Sequence, residues 1–200
     1  MRQAEKRALT RHNVLRAAQD VFGRSGYHQA TLRDIAEEAG VSKGAVYYNF
    51  ASKEELFLAL LDARMDERLR EIRAVNSEPD HAARDYIENV KRNREWITLF
   101  FEFVAHAARD NRFGAQFATR FKRFWAELAD DVERRAREQR VDLPLPAEQL
   151  AIAIDVLGIG FMIPQIIDPV GIPDDLLPKA LTYMLRGVAQ AAAEQAQPPA

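Results

Sequence analysis

The spacing of the apolar residues constrains the fold of this chain more than any other feature. These residues recur at intervals of three and four along almost the whole sequence. The first segment is an example, with one stripe formed by Leu9, Val14, Ala18, Val21 and Phe22. Such spacing places side chains on one face of an α-helix, and the alternation typical of half-buried strands is not seen. The pattern therefore predicts an all-α protein.

Cap residues divide the first quarter of the chain into short helices. The segment "GRSGY" ends the first helix. Thr31 then precedes "LRDIAEEAG", and Asp34 lies three residues further on, an acidic variant of the capping box. Gly40 is placed to end this helix, and Ser42 to cap the next one, "KGAVYYN". Two short helices joined by "AGVS" are predicted.

A third cap precedes a much longer helix. Ser52 and Glu55 form an S-x-x-E box directly before the run "LFLALLDARMDERLREIRAV". The run keeps helical spacing throughout, so a long fourth helix is expected to follow the first three.

Two short helices joined by a tight turn form a helix-turn-helix. In this motif the second helix lies in the major groove of DNA while the first crosses the backbone. Ser42, Lys43 and Gly44 would then stand at the leading end of the second helix. A hydroxyl, a cation and an unobstructed backbone suit contacts with phosphates or base edges.

The adjacent tyrosines Tyr47 and Tyr48 support this interpretation. Neighbouring residues on a helix point about 100° apart, so two large rings in a short helix cannot both face the core. At least one ring is therefore expected to face outward, where it could contact a base, a sugar or a phosphate.

Charge is distributed unevenly along the chain, although the net charge is only −2. Residues 1–50 have a balance of +3, residues 51–140 are neutral, and residues 141–200 have a balance of −5. A basic N-terminal segment on a neutral to acidic body is typical of a protein that binds a polyanion through that segment alone.

Composition excludes several classes of site. The 200 residues are 48% hydrophobic and 29% charged, and none is cysteine, so disulfides, thiolate metal sites and a cysteine nucleophile are excluded. Glycine-rich phosphate loops and nucleophile elbows are not found, and the four histidines are scattered. We therefore expect no enzyme, no metal and no cofactor.

The sequence gives no reason to expect a membrane protein. The N-terminus "MRQAEKRALTRHNV" is charged throughout, and a secretory signal is not visible. The most apolar stretch, "LAIAIDVLGIGFMIPQII", contains Asp155, Pro164 and Gln165, and is interpreted as a buried helix. A cytoplasmic protein is expected.

The residues around the helix-turn-helix resemble the tetracycline-repressor (TetR) family of bacterial transcription regulators. The matching run, "FGRSGYHQATLRDIAEEAGVSKGAVYYNFASKEELF", extends from Phe22 to Phe57 and covers about a quarter of the chain. The family pattern is carried by Gly26-Tyr27, Thr31, Ile35-Ala36, Ala39-Gly40-Val41-Ser42, Gly44, Tyr47, Phe50, Lys53 and Leu56.

The resemblance implies a three-helix DNA-binding head over residues 1–50 and a helical-bundle domain over residues 51–200 that binds an effector and dimerises. It also implies that Tyr47 contacts a base or sugar and that Tyr48 presents its hydroxyl to a phosphate. Many relatives carry histidine at the position of Asn49, which can hydrogen-bond a phosphate but cannot become charged. The residues implied to contact operator DNA are Thr31, Ser42, Lys43, Gly44, Tyr47, Tyr48, Asn49 and Lys53.

Aromatic residues are concentrated between residues 95 and 128, in stripes at helical spacing. Such stripes are typical of a core, but their density also suits an apolar ligand cavity containing a few polar groups. The polar candidates are Thr98, Glu102, His106, Gln116 and Gln165. The predicted contacts to a small hydrophobic effector are Trp96, Phe100, Phe103, His106, Phe117, Phe121, Trp125 and Phe161.

The last two helical segments, residues 147–163 and 176–193, are apolar and contain small residues that permit close packing, Gly158 among them. They are predicted to form a homodimer interface, the alternative being that they fill the core of one protomer.

Together these features predict a homodimeric regulator that binds double-stranded operator DNA, acts as a repressor and is released by a small hydrophobic effector. Two alternatives remain open. One is a DNA-binding regulator without an effector, and the other is a helical carrier of hydrophobic ligands that uses the helix-turn-helix as scaffold.

Overall fold

The computed structural model describes residues 3–74, 87–168 and 170–195. These residues form helices joined by short turns, and contain no strand, which confirms the all-α prediction. In chain order the helices are α1 (Gln3–Gln29), α2 (Leu32–Glu38), α3 (Lys43–Asn49), α4 (Lys53–Ala74), α5 (87–92), α6 (Arg94–Ala107), α7 (Asn111–Gln139), α8 (Ala147–Ile167) and α9 (Leu176–Gln195).

The chain divides into two compact units. The first comprises Met1–Asp66 and Glu95–Ala118, and the second comprises Glu67–Arg94 and Thr119–Ala200. This division groups residues by packing. The predicted boundary after residue 50, which separates the DNA-reading part from the rest, stays a prediction.

In the first unit, α1 packs against α2 and α3 to form a three-helix head. Its core contains Val14, Ile35 and Val46, each fully buried, and the ring of Phe22. Val14 and Phe22 belong to the apolar stripe predicted for the first helix, whereas Leu9 of that stripe is exposed. The burial of large apolar side chains stabilises such a head by about 1.5–3 kcal/mol per residue.

Glycines and polar caps set the helix boundaries of the head. Gly26 interrupts α1 with φ 72° and ψ 160°, a conformation open essentially to glycine alone. Gly40, with φ 64°, follows α2. Thr31 and Asp34 form the predicted capping box, and Ser42 accepts a hydrogen bond from the Ala45 N–H at 3.2 Å.

An aromatic cluster completes the first unit. The ring of Tyr27 contacts the rings of Phe22, Phe57 and Phe103, and Phe103 in turn contacts Phe113. Because these rings come from α1, α4, α6 and α7, the cluster joins the end of α1 to the other helices of this unit.

The second unit has an apolar core with polar contacts around it. Its buried residues include Leu69, Phe124, Leu128, Leu150 and Leu177. Ion pairs and hydrogen bonds tie its helices together: Arg73 pairs with Glu127, Lys91 with Asp174, and Arg94 donates to the Ile166 carbonyl.

Helix α8 is unusually apolar for its degree of burial. Among the described residues it is the one helix long and apolar enough to cross a membrane by length and composition, and 28% of that window is buried. Gly158 lies on its buried face, whereas Val156, Ile163 and Ile167 lie on an exposed stripe.

Candidate nucleic-acid interface

The α2–α3 pair places its two tyrosines on the outer surface. Ile35 and Ala36 of α2 and Val46 of α3 are buried between the helices. Tyr47 is 49% exposed and Tyr48 is 71% exposed. The buried face of α3 therefore consists of Val46, and both tyrosine rings are available to a partner.

The leading end of α3 is open. Lys43 and Ser42 are exposed, and the Lys43 ammonium lies 5.6 Å from the centre of the Tyr47 ring. A Cβ added at Gly44 would meet no atom nearer than the Ser42 hydroxyl, at 3.9 Å. A phosphate or base edge could therefore approach the Gly44 backbone without meeting a side chain.

Thr31 is engaged in its own capping box. Its hydroxyl donates to Asp34 Oδ2 at 2.8 Å and accepts from the Asp34 N–H at 3.2 Å. The bond from the Thr31 hydroxyl, together with a bond from the Thr31 N–H to Asp34 Oδ2 at 3.0 Å, holds the pKa of the Asp34 carboxyl below its usual value. The hydroxyl has one O–H, so contact between Thr31 and a phosphate requires it to leave Asp34 Oδ2.

Asn49 folds back onto its own helix. Its Nδ2 donates to the Ala45 carbonyl at 2.8 Å, while its Oδ1 is buried and has no hydrogen-bond partner. An amide oxygen can only accept, so it offers nothing to a phosphate. A contact between Asn49 and a phosphate would therefore use the second N–H of the amide nitrogen, because the other bonds Ala45.

Lys53 is the first residue of α4, and its side chain reaches the end of α1. Its ammonium donates to the carbonyl oxygens of Tyr27 at 2.6 Å, His28 at 3.3 Å and Ala30 at 2.9 Å. Partial burial lowers the pKa of this ammonium. An ammonium has three donors, so all of them are used by these carbonyls. Contact between Lys53 and a phosphate therefore requires one of these three hydrogen bonds to break.

Five of the eight predicted effector contacts lie in the first unit. Phe100, Phe103 and Phe117 are buried there, and Trp96 stacks on Phe57. The His106 ring is partly buried against Phe113, and its Nε2 has no hydrogen-bond partner.

The other three predicted effector contacts lie in the second unit. Phe121 and Trp125 contact each other on α7 with ring centres 5.5 Å apart, and both are partly exposed. Phe161 is partly exposed on α8. The eight residues therefore do not form a single cluster within either unit.

A buried carboxylate, which the sequence interpretation did not select, lies in the second unit. Asp155 accepts a hydrogen bond from Trp125 Nε1 at 2.9 Å. Burial raises the pKa of Asp155, and the hydrogen bond from Trp125 and the charge of Arg68 oppose that shift. A single carboxylate in the most apolar stretch of the chain is the signal that could have identified it.

Gln165, one of the predicted polar candidates, is also buried on α8. Its side chain is only 5% exposed, and neither its Nε2 nor its Oε1 has a hydrogen-bond partner. Burying an amide without partners costs about 1–3 kcal/mol in protein interiors. Gln165 therefore has a donor and an acceptor that a polar group could satisfy.

Two family models match most of the chain. Residues 14–60 match the model described as "Bacterial regulatory proteins, tetR family". Residues 80–190, more than half of the chain, match "BetI-type transcriptional repressor, C-terminal".

Individual relatives are HTH-type transcriptional regulators. The chain is 37% identical over 102 residues to the HTH-type transcriptional activator FasR of Mycolicibacterium smegmatis, which covers 51% of this chain and 43% of FasR. It is 28% identical over 161 residues to the HTH-type transcriptional repressor AcnR of Corynebacterium efficiens, covering 79% and 82%.

The fold agrees with a solved structure. A TetR-family transcriptional regulator from Rhodococcus sp. superposes with a TM-score of 0.75 and 20% sequence identity, covering 91% of this chain and 99% of that one.

Proposed function

Because this chain belongs to the tetR family of bacterial regulatory proteins and is a DNA-binding transcriptional regulator, we propose that it is a homodimeric repressor released by a small effector. Regulators of this family bind operator DNA and act as dimers, and they are generally cytoplasmic. For this chain we propose the direction of regulation, the dimer surface and the effector site.

The outer face of α3 is the surface proposed to contact operator DNA. Tyr47 and Tyr48 are exposed next to an open Gly44, and Ser42 and Lys43 stand at the start of the helix. We assign base or sugar contact to Tyr47 and phosphate contact to Ser42 and Lys43. Thr31, Gly44, Tyr48, Asn49 and Lys53 complete the proposed interface.

An exposed apolar surface supports the proposed homodimer. On α8 it consists of Val156, Ile163 and Ile167, and on α9 of Leu176 and Tyr183. The two helices pack against each other, so these stripes belong to one unit. A second copy would remove this apolar surface from water, as two-fold interfaces between identical chains do.

The DNA-binding experiment is selection of bound fragments from the genome, followed by titration of a recovered duplex. A dimer requires two inverted half-sites about one helical turn, roughly 34–36 Å, or a multiple of it apart. We expect two protomers for each duplex and a loss of affinity when one half-site is scrambled. Binding that is independent of sequence or of salt would refute the proposed repressor.

The same experiment addresses the two alternatives. Sequence-specific binding excludes a carrier that uses the helix-turn-helix only as scaffold. An effector-free regulator would bind equally well in the presence of every compound, whereas the proposed repressor loses affinity with one class of compound.

Buried polar groups of the second unit support an effector that is amphipathic rather than purely apolar. Trp125, Phe121 and Phe161 provide aromatic surface, and Gln165 provides an unpaired donor and acceptor. A ligand group that both donates and accepts, such as an amide or a hydroxyl, would satisfy the Gln165 side chain. Aromatic side chains combined with a few polar groups are the composition typical of small-molecule sites.

Trp125 offers a direct assay for the effector. The chain has two tryptophans, so Trp96→Phe leaves Trp125 as the sole indole. We expect compounds with an apolar body and an amide or hydroxyl to change Trp125 fluorescence and to weaken operator binding. The corresponding hydrocarbons should do neither. Equal effects of both series would contradict a role for polar groups.

The Gln165→Met variant tests whether Gln165 binds the effector. If Gln165 binds the effector, the variant should lose the response while operator affinity without ligand is retained. It should also be more stable, because an unsatisfied amide has been replaced by an apolar group of similar length. A full response in the variant would remove Gln165 from the site.

A further inference from the structure

The stripe of α1 that faces the other helices of the head changes character toward its N-terminus. Val14, Ala18 and Val21 are buried and follow one another at intervals of four and three. Continuing the same spacing backward gives Arg11 and Arg7, both exposed. Residues at this spacing share one helix face, so the two arginines extend the buried stripe to the edge of the head.

Each of these arginines lies over an aromatic ring at the end of the helix-turn-helix. The Arg7 guanidinium carbon is 5.1 Å from the centre of the Tyr48 ring. That of Arg11 is 4.8 Å from the centre of the Phe50 ring. Both distances are within the range of cation–π attraction, which fixes where the two guanidinium groups stand relative to α3.

The two arginines differ from others of the head in their charge partners. Arg24 pairs with Glu38 at 2.5 Å, and Arg33 pairs with Glu37 at 3.1 Å. Within the described part of the chain, neither Arg7 nor Arg11 has a carboxylate within salt-bridge distance. Their positive charge is therefore not neutralised locally, and it lies beside the exposed tyrosines of α3.

We propose that Arg7 and Arg11 form a second phosphate-binding element of the DNA interface, positioned by the rings of Tyr48 and Phe50. This inference rests on the proposed reading of DNA by α3. Its partner is the phosphodiester backbone flanking the bases that α3 contacts. A guanidinium suits that partner because its fork of N–H donors matches two phosphate oxygens while its flat face stays on the ring.

The proposal gives the Tyr48 ring a role separate from its hydroxyl. Tyr48 is 71% exposed, so its ring contributes little to the core of the head. Its position under Arg7 makes it a positioning residue. Arg11 differs, because the Phe50 ring beneath its guanidinium is buried in the head.

Methionine variants test the phosphate contacts, since methionine keeps an apolar stem but removes the charge. Arg7→Met and Arg11→Met are measured beside Arg33→Met, the matched control whose charge is already paired. The probe is a duplex of random sequence, titrated by fluorescence anisotropy across a salt series. Circular dichroism melting verifies that each variant is folded.

We expect the slope of log affinity against log salt to fall by about 0.9 for each of Arg7→Met and Arg11→Met, and by much less for Arg33→Met. The affinity at low salt should fall roughly threefold to tenfold for each of the two, for random and operator duplexes alike. Unchanged slopes in both folded variants overturn the inference but leave DNA binding by α3 intact. Absence of any duplex binding by the wild type would instead refute the proposed function.

A double-mutant cycle tests the positioning by Tyr48. In the Tyr48→Phe background, which keeps the ring, Arg7→Met should have its full effect on affinity and slope. In the Tyr48→Leu background, the effect of Arg7→Met should shrink to less than about twofold, because the guanidinium is no longer held. Equal effects of Arg7→Met in both backgrounds overturn the positioning role of the ring.

Discussion

The ammonium of Lys53 lies 2.6 Å from the carbonyl oxygen of Tyr27 and 4.3 Å from the centre of the Tyr27 ring. It also bonds the carbonyls of His28 and Ala30, so it caps the last turn of α1 after the break at Gly26. A lysine near a helix C-terminus is stabilised by the carbonyl ends of the helix dipole. Through these bonds Lys53 ties the start of α4 to the end of α1.

Lys53→Met should therefore lower the free energy of unfolding by about 1–2 kcal/mol. Hydrogen bonds to charged groups contribute about 1.5–3 kcal/mol, and the Lys53 ammonium is only partly buried. Urea titration measures this. If the ammonium also moves to a phosphate on binding, the salt slope should fall by about 0.9. A variant with unchanged stability would contradict the capping role.

Gly26 is expected to resist every substitution. Its φ of 72° and ψ of 160° are strained for a residue with a Cβ, and the added atom would lie 3.4 Å from Glu102 Oε1. Glu102 also accepts a hydrogen bond from the Tyr27 N–H at 3.0 Å, which fixes the break. Gly26→Asn should cost about 1–3 kcal/mol of stability. Gly40→Asn is the control, and should cost less because asparagine tolerates a left-handed helix end. Equal losses of stability in the two variants would show that the backbone conformation of Gly26 does not cause the loss.

Asp155 gives the second unit a pH-dependent stability. Burial raises the pKa of Asp155. Its contribution is therefore fully present below about pH 4, the usual pKa of an aspartate, and is lost as the pH rises through the raised value. Asp155→Asn keeps an acceptor for the Trp125 N–H but cannot ionise. The variant should be more stable than wild type at pH 7 and close to it at pH 4, by urea titration. A difference that does not change with pH would contradict burial of the charge.

The proposed dimer surface predicts which glutamate substitutions separate the protomers. Val156→Glu and Gly160→Glu place a charge on the exposed stripe of α8, where a partner chain would leave it buried and unpaired. They should give monomers by light scattering. Ala126→Glu, on an exposed part of α7, is the control and should leave the dimer intact. Dimeric Val156→Glu and Gly160→Glu would move the interface elsewhere.

Much of the head could be predicted from the sequence because local chemistry determines it. The capping box at Thr31, the cap at Ser42 and the glycine at Gly40 each depend on residues a few positions apart. The predicted end of the first helix at "GRSGY" was wrong, because Gly26 interrupts α1 and the helix continues to Gln29. Helix geometry predicted that at least one of Tyr47 and Tyr48 faces outward, and the structure exposes both.

Contacts between distant residues were beyond such reasoning. Lys53 bonds carbonyls more than twenty positions earlier, and Arg7 lies over a ring forty-one positions later. The face of α8 is a further example. Its residues are apolar on every side, so periodicity could not distinguish the buried side at Gly158 from the exposed side at Val156.

The division of labour on α3 is the central claim, and the affinity ratio between operator and random duplexes tests it most directly. That ratio is measured by anisotropy at fixed salt for wild type, Tyr47→Ala and Lys43→Met. If Tyr47 reads a base, Tyr47→Ala should lower operator affinity by about 1–3 kcal/mol and random-duplex affinity much less, so the ratio falls. Lys43→Met should lower both affinities alike and leave the ratio unchanged. A Tyr47→Ala variant that keeps the wild-type ratio would contradict the account.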